Sequence, residues 1–360
     1  PLKRRNCGMV SILTEPAYSK SMWCSALLTS LTEKLRQKRI PFCEIFDTVP
    51  DGCDGVFIIA SDYNWIKSVI SRLNEEGIKP ILLCNQYESI AGCNYSCVCS
   101  DITGSMKYLL DELKSDGRTS VALYGVNTSS ISDIGRVDGL LALKDESLNS
   151  MRIFVNDGSL KACFEEFLPV CSSFDAVICS NDFAAVSLIR YLQSAAPDIL
   201  AGLKILSCAQ TKLSDYYRSM ITSVNLNFEQ YGKAAVFIYE NLKSHSYMSG
   251  ITITVNWNDI YMGKRKRTAV KLKRHQEHND FYTDSEMREM LTVEHILSIS
   301  SNTDLTIANK LIDGATLEET AQQSFLTESG VKYRIKRILQ ECGIANRAEL
   351  IRLLKCYLTT

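Results

Sequence analysis

The chain has 360 residues, of which 46% are hydrophobic and 22% are charged, and its formal net charge is -1. This length allows two or three domains, and the balanced charge excludes a chain that is basic throughout. No segment approaches the ~18 consecutive apolar residues of a membrane-spanning helix. The first residues lack the apolar core of a secretion signal. We therefore expect a cytoplasmic protein without membrane contacts.

Short apolar segments alternate with amphipathic ones over residues 9–257, which predicts strands and helices in turn. In the first helix, Trp23, Leu27, Leu31 and Leu35 form one apolar stripe. This alternation is typical of parallel sheets covered by helices, which bind ligands outside the carboxyl ends of their strands. The predicted strands are 9–13, 41–46, 55–60, 80–84, 119–125, 152–155, 176–180, 204–208 and 251–255. The predicted helices lie near 19–38, 64–76, 104–116, 133–145, 159–168, 182–194 and 228–243.

The alternation stops at residues 263–284, a segment that is rich in lysine and arginine and shows no apolar periodicity. This composition favours a solvated linker, and it is compatible with additional non-specific contacts to phosphates. A helix is predicted to follow over 285–298. We therefore treat 259–300 as a basic linker and a connecting helix.

The 14 cysteines are scattered, and most lie inside apolar segments, where they behave as small buried hydrophobic residues. One cluster contains Cys93, Cys97 and Cys99, with Cys84 upstream. Its spacing matches no usual zinc pattern, so we expect reduced thiols and neither a metal nor a cofactor. The four histidines come late in the chain, and no phosphate-binding loop or nucleophile elbow occurs. We therefore do not expect an enzyme.

Five segments, in order along the chain, resemble the effector-binding core of the lac/galactose repressor family. They are CDGVFIIA (53–60), the Asp-containing turn and helix within 98–125, IGRVDGLLAL (134–143), FDAVICSNDFAAVSLIRYL (174–192) and ITSVNLNFEQYGKAAVFIYENL (221–242). The resemblance covers residues 1–258. It implies an α/β, periplasmic-binding-protein-like fold with two lobes of parallel sheet flanked by helices. The first lobe would comprise about 7–117 and 226–246, and the second about 118–225 and 250–258.

The resemblance also implies that a small polar, sugar-like effector binds in the cleft and closes the lobes around it. The ligand-binding positions that carry over are Tyr18, Trp23, Asp101, Arg136, Asn181 and Gln210. An arginine can bind two hydroxyls or a carboxylate, and aromatic faces stack on ligand rings. The alternatives left open are an ion pair of Arg136 with Asp133 or Asp138, a helix cap by Asn181, and core packing by Trp23.

Two departures from the family pattern bear on these expectations. After the strand 204–208 the family has aspartates that bind hydroxyls, whereas this chain has Ala209 and Gln210. Gln210 is the nearest substitute, which weakens the case for an ordinary sugar. The segment FDTVPDGCDG (46–55) is also too short for the helix that separates the second and third strands. We expect an exposed sheet face or edge there, covered by something else such as a partner subunit.

Residues 301–360 resemble a LuxR-type helix-turn-helix domain, most clearly over 313–354. Thr327 is a suitable helix N-cap, and the following helix combines an apolar stripe with basic residues. Gly330 and Arg334 replace a threonine and a histidine of the family pattern. Lysine and arginine can contact guanine and phosphates. The resemblance implies DNA contacts from Thr327, Lys332, Tyr333, Arg334, Lys336 and Arg337.

Together these features predict a ligand-responsive transcription regulator that binds double-stranded DNA as a homodimer. We expect the signal to leave the cleft through the strand near Trp257, the basic linker and the 285–298 helix. The alternative is a cytosolic small-molecule sensor whose C-terminal helices bind a protein partner instead of DNA.

Overall fold

The computed structural model describes residues 9–46, 48–50, 52–84, 90, 92–143, 148–209, 211–224, 227–245, 248, 250–256 and 284–359. Over these ranges the chain forms two lobes and a C-terminal group of helices. The strands are β1 Val10–Thr14, β2 Phe42–Ile45, β3 Gly55–Ile59, β4 Ile81–Leu83, β5 Ser96–Ser100, β6 Ser120–Val126, β7 Ser150–Val155, β8 Ala176–Cys179, β9 Lys204–Cys208, β10 Ile221–Val224 and β11 Thr252–Val255. The helices are α1 Met22–Gln37, α2 Tyr63–Glu75, α3 Ile102–Ser115, α4 Ile131–Leu143, α5 Leu160–Phe167, α6 Asp182–Ala195, α7 Pro197–Gly202, α8 Lys212–Tyr216, α9 Glu229–Ser244, α10 Ser285–Ile299, α11 Asn302–Ile312, α12 Leu317–Gln323, α13 Glu328–Glu341 and α14 Arg347–Leu358.

The first lobe is built on a six-stranded sheet in the order β11-β5-β4-β3-β1-β2, with every neighbouring pair parallel. Alternate residues of a strand point to opposite faces. Ile12 and Phe57 therefore pack with α1 and α9, whereas Leu13 and Ile58 pack with α2. Helices α1 and α9 approach closely at Gly232, where a Cβ would lie 2.0 Å from a backbone carbonyl oxygen of α1.

The second lobe is built on a five-stranded parallel sheet in the order β10-β9-β8-β6-β7. Helices α3 and α4 cover one face, over Leu123 and Ile178. Helices α5 and α6 cover the other face, over Tyr124 and Val177. The predicted fold class, two lobes of parallel sheet with flanking helices plus a helical C-terminal region, is confirmed.

Two of the predicted lobe limits are wrong. Helix α3 lies within 7–117, which was predicted for the first lobe, but Met106 and Leu109 pack against α4 and the second sheet. Strand β11 lies within 250–258, which was predicted for the second lobe, but it pairs with β5 in the first sheet. Its position is fixed by the Ile251 N–H, which donates to the Ser96 Oγ at 3.0 Å.

Strands β5 and β10 and helices α7 and α8 were not predicted. Strand β5 reads SCVCS, and it is buried because it lies between β4 and β11. Between β2 and β3 no helix occurs in the described residues, as the short connection predicts. Val49 and Cys53 of this connection pack on the sheet beside α2 and cover part of the face.

The C-terminal helices α10–α14 form a bundle that joins the core of the second lobe. Ser301 and Asp304 form a capping box at α11, and Thr316 and Glu319 form another at α12. Each box satisfies backbone N–H groups that the first turn leaves without helical partners. No described helix has the length and apolar character needed to cross a membrane.

Candidate functional site

The two lobes meet where the carboxyl ends of their strands face each other. Asp62, which follows β3, forms a β-bridge with Ser130, which follows β6. Next to it, the Ile131 N–H donates to the Ser61 carbonyl at 3.3 Å. Because each sheet is parallel, its strands end along one edge. These contacts lie at the edge where parallel α/β sheets bind ligands, and we call this interlobe region the cleft.

Aromatic packing closes one side of this cleft. Trp23 of α1 packs edge-on against Phe183 of α6, with ring centroids 5.6 Å apart. Trp23 is 8% exposed and Tyr18 is 4% exposed, and both belong to the apolar core. The structure thus shows core packing for Trp23, and ligand contact by either ring stays a prediction.

Arg136 is held by an ion pair inside the second lobe. Its Nη1 lies 2.6 Å from the Asp133 carboxylate, and both side chains are almost fully buried. Asp133 also accepts the Asn127 N–H at 2.9 Å. Burial raises the pKa of Asp133, although Arg136 and the Asn127 amide act against this shift. The ion pair of Arg136 with Asp133, which the sequence left open as an alternative, is therefore present. A ligand contact by Arg136 stays a prediction.

The polar residues predicted at the cleft begin helices. Asn181 caps α6 by accepting the Ala184 N–H at 3.0 Å. Asp101 caps α3 by accepting the Gly104 N–H at 3.2 Å. Such caps fix the loops at the cleft edge, and they do not prevent ligand contact by the same side chains. Gln210 lies outside the described residues.

Sequence reasoning missed Glu15, which follows β1 at the cleft. The residue is 6% exposed, and its carboxylate accepts the N–H groups of Ser61 and Asp62 at 2.8 and 3.0 Å. These amides belong to the loop that contacts the second lobe. Glu15 therefore orders the interlobe contact, and the signal that could have found it is a charged residue directly after β1, all of whose residues are buried.

The segment predicted as a helix-turn-helix contains α12, the turn 324–327 and α13. Thr327 caps α13 by accepting the Gly330 N–H at 3.1 Å, as predicted from the sequence. Tyr333 is 71% exposed, and Lys336 is also exposed. Lys332 forms an exposed ion pair with Glu328 at 2.7 Å. These side chains form an open, mostly cationic surface on α13.

The two arginines of α13 instead point back to α11. Arg334 and Arg337 contact the Asp304 carboxylate at 3.0 and 2.8 Å, while about a third of each arginine side chain stays exposed. Burial acts to raise the pKa of Asp304, but hydrogen bonds from Ser301 and the two guanidiniums outweigh it and lower the pKa. Asp304 is thus an anion that fixes both arginines.

The cysteine cluster is part of the first-lobe core. The Sγ atoms of Cys84 and Cys97 lie 3.6 Å apart, and both residues are buried. Burial raises the pKa of Cys97, which disfavours the reactive thiolate. Among the described residues no group of histidine, cysteine, aspartate and glutamate side chains has a geometry that could hold a metal ion.

No protein-family model matches the chain, and no curated protein matches it. The transcriptional regulator CelR in complex with cellobiose aligns with a TM-score of 0.56 and 15% identity, over 71% of this chain and 84% of that chain. The LacI family regulator CCPA from Weissella paramesenteroides with bound sucrose aligns with a TM-score of 0.54 and 18% identity, over 70% and 97%. The lac repressor bound to ONPG aligns with a TM-score of 0.54 and 15% identity, over 72% and 81%. The chain shares their fold.

Proposed function

We propose that this protein is a ligand-responsive transcription regulator. In this proposal a small molecule binds in the interlobe cleft and changes sequence-specific DNA binding by α12 and α13. The observation that carries the proposal is the cationic surface of α13, which belongs to a helix-turn-helix packed onto a two-lobed domain. In this proposal the DNA-binding helices follow the ligand-binding domain along the chain.

The DNA contacts would come from the exposed side of α13. Lys332, Tyr333 and Lys336 project into solvent, which supports contacts to phosphates and base edges in a major groove. Thr327 at the start of the helix could donate its hydroxyl to a phosphate. Arg334 and Arg337 would reach DNA from positions fixed by Asp304.

We propose a polar, sugar-like molecule as the ligand of the cleft. Arginine and asparagine side chains at the strand ends can bind hydroxyls. Regulators of the same fold were solved with cellobiose, sucrose and ONPG, and the lac repressor was solved as a dimer bound to operator. We propose that two copies of this chain likewise bind two half-sites about one helical turn apart.

Selection of bound duplexes from a randomised pool, with the full chain, tests this proposal. We expect a two-fold symmetric site whose affinity falls steeply with salt. Replacing both Lys332 and Lys336 by glutamine should flatten the salt dependence, by roughly 0.9 in the log–log slope for each phosphate contact removed. Lys161→Gln, an exposed change in the second lobe, is the control. An unenriched pool would refute DNA recognition.

A second candidate is a sensor whose C-terminal helices bind a protein. It is favoured by Phe325, which is 96% exposed in the turn before α13 and has a φ of 54°. An exposed aromatic residue of this kind is common at protein interfaces. Phe325→Ser should leave the selected duplex bound if DNA is the partner. The protein-binding alternative predicts no enrichment in the selection at all.

A further inference from the structure

Helix α10 connects the C-terminal helices to the second lobe through three carboxylates. Asp284, just before the helix, accepts the Leu160 N–H at the start of α5, at 3.0 Å. Glu286 accepts the Tyr191 hydroxyl of α6 at 2.9 Å. Glu294 accepts amides at the start of α8. One element thus contacts each of the helices that follow β7, β8 and β9.

The starts of these helices lie at the cleft edge of the second sheet. Each helix follows the carboxyl end of a parallel strand. The proposed ligand residue Asn181 directly precedes α6, and Gln210 lies two positions before α8 in the sequence. Helix α10 also contacts α1 of the first lobe, which carries Trp23. Movement of the lobes around a ligand therefore acts on the starts of α5 and α8, which α10 touches, whereas Glu286 contacts α6 near its far end, at Tyr191.

Three consecutive backbone amides donate hydrogen bonds to two carboxylates, one at the cleft and one on α10. The Thr211 N–H donates to Asp182, the fully buried first residue of α6, at 2.6 Å. The Lys212 and Leu213 N–H groups donate to the two oxygens of Glu294, at 2.9 and 2.6 Å. Any shift of the segment 211–213 therefore changes the hydrogen bonds of a cleft carboxylate and of an α10 carboxylate together.

Glu294 cannot exchange these donors for water while α10 stays packed, because the residue is only 3% exposed. A buried carboxylate without donors is strongly disfavoured. Helix α10 must therefore follow α8 when α8 moves, or lose both hydrogen bonds at once. The contact between Glu294 and α8 is therefore either intact or broken, and it does not deform gradually.

The last helix is fixed to the same lobe. The Tyr217 hydroxyl donates to the Tyr357 carbonyl at 2.9 Å. The Arg190 guanidinium lies 4.2 Å from the centroid of the Tyr357 ring and donates to the Cys356 sulfur at 2.9 Å. Both ends of the C-terminal bundle therefore move with α6 and α8.

We propose that Glu294 couples the cleft to the DNA-binding helices. Lobe closure displaces segment 211–213, Glu294 carries that displacement to α10, and α10 and α14 reposition α13. The inference rests on the proposed function and adds the residue that transmits the signal. By linkage, the C-terminal helices bias the cleft by the same factor that the cleft biases DNA binding.

A reversible lock on the cleft tests this coupling without knowledge of the effector. Asp62→Cys and Ser130→Cys, introduced together, place cysteines at β-bridge positions, whose Cα atoms lie about 4.5–5.5 Å apart and so within disulfide range. The oxidised and reduced forms then differ only in the disulfide between positions 62 and 130, which locks the two lobes together. We expect oxidation to change duplex affinity and hydrogen exchange of α10 by at least about fivefold.

Glu294→Gln, added to the locked protein, should bring the ratio of α10 hydrogen exchange between the oxidised and reduced forms close to one. The ratio for duplex affinity should fall less, because Tyr357 of α14 still contacts Tyr217 and Arg190. The glutamine oxygen can accept one amide, and its NH2 group then faces the other donor. Glu166→Gln, an exposed change on α5, is the matched control and should leave both ratios unchanged. If Glu294→Gln loses helical circular dichroism, Glu294→Asp takes its place, since its shorter carboxylate cannot reach both amides.

Each outcome separates the coupling from the proposed function. If the hydrogen-exchange ratio of α10 between the oxidised and reduced forms persists in Glu294→Gln, or equals one with Glu294 present, the coupling through Glu294 is overturned while the duplex is still bound. Loss of all duplex binding would refute the proposed function, yet hydrogen exchange in α10 would still report whether the lock reaches that helix. Exchange that responds to the lock only with Glu294 present supports the coupling.

Discussion

Removal of the Asp304 carboxylate should destabilise the packing of α11 and α13 by about 3 kcal/mol. The side chain accepts the Ser301 N–H and Oγ–H at 2.9 and 2.7 Å, and Arg334 and Arg337 at 3.0 and 2.8 Å. Loss of a helix cap costs about 1 kcal/mol. Each guanidinium hydrogen bond would contribute 1.5–3 kcal/mol if fully buried, and we reduce this to about 1 kcal/mol because a third of each arginine reaches water.

A double-mutant cycle with Asp304→Ala and Arg334→Ala isolates the pairwise part of this energy. Native-state hydrogen exchange in α11 and α13 is the assay, since all three tryptophans lie outside these helices. The matched control is the exposed pair Lys332–Glu328, for which we expect a coupling energy of at most ~0.5 kcal/mol. If the Asp304 coupling is no larger than the control coupling, the buried carboxylate does not organise the two arginines.

Three further predictions concern the lobes and the docking of α10. Gly232→Ala should lower the Tm by several degrees, because the new Cβ would meet the Ser30 carbonyl oxygen at 2.0 Å, while Gly202→Ala, with open space around its Cβ, should not. Glu15→Gln should speed hydrogen exchange of the 61–62 loop, because both amides donate to one charged carboxylate oxygen and a neutral amide oxygen accepts them more weakly, whereas the exposed Glu44→Gln should not. Burial raises the pKa of Glu294, so the folded state binds a proton more readily than the unfolded state. Proton binding therefore stabilises the folded state at low pH. This stabilisation is lost as pH rises from about 4.5 through the raised pKa. Urea unfolding should therefore show a larger advantage of wild type over Glu294→Gln at about pH 4.5 than at about pH 7.5, and a difference that grows with pH would contradict this sign.

The alternation of apolar segments was enough to predict the fold class, because burial on both faces of a parallel sheet leaves a strong local pattern. It failed at β5, where Ser96 and Ser100 are buried and reduce the apolar signal. It also failed at α8, which is only five residues long and whose first amides depend on Glu294, 82 positions away from Lys212. Elements stabilised by distant partners leave no local periodicity.

In the candidate sites, too, local interactions were predictable and interactions between distant residues were not. The N-caps at Asn181 and Thr327 were predictable, because a cap is a local relation between a side chain and an amide three residues later. The pairing of Arg334 with Asp304 was not, since the residues are 30 positions apart on different helices. A basic helix therefore indicates a DNA-binding surface better than it indicates which of its cations are free to bind.

For the proposed DNA binding, this distinction limits the number of phosphate contacts that α13 of one copy of the chain can make. Three of the four cations on α13 that were predicted to contact DNA are in ion pairs, two of them with a buried carboxylate. Each phosphate contact changes the slope of log affinity against log salt by about 0.9, so a single copy should show a slope of only a few units. A much steeper slope in the full chain would require a second copy on the same duplex or the lysines and arginines of 263–274, which lie outside the described residues. Replacing the lysines and arginines of 263–274 by neutral residues distinguishes these two explanations. The slope stays steep if two copies bind, and it falls to the single-copy value if the segment 263–274 supplies the contacts.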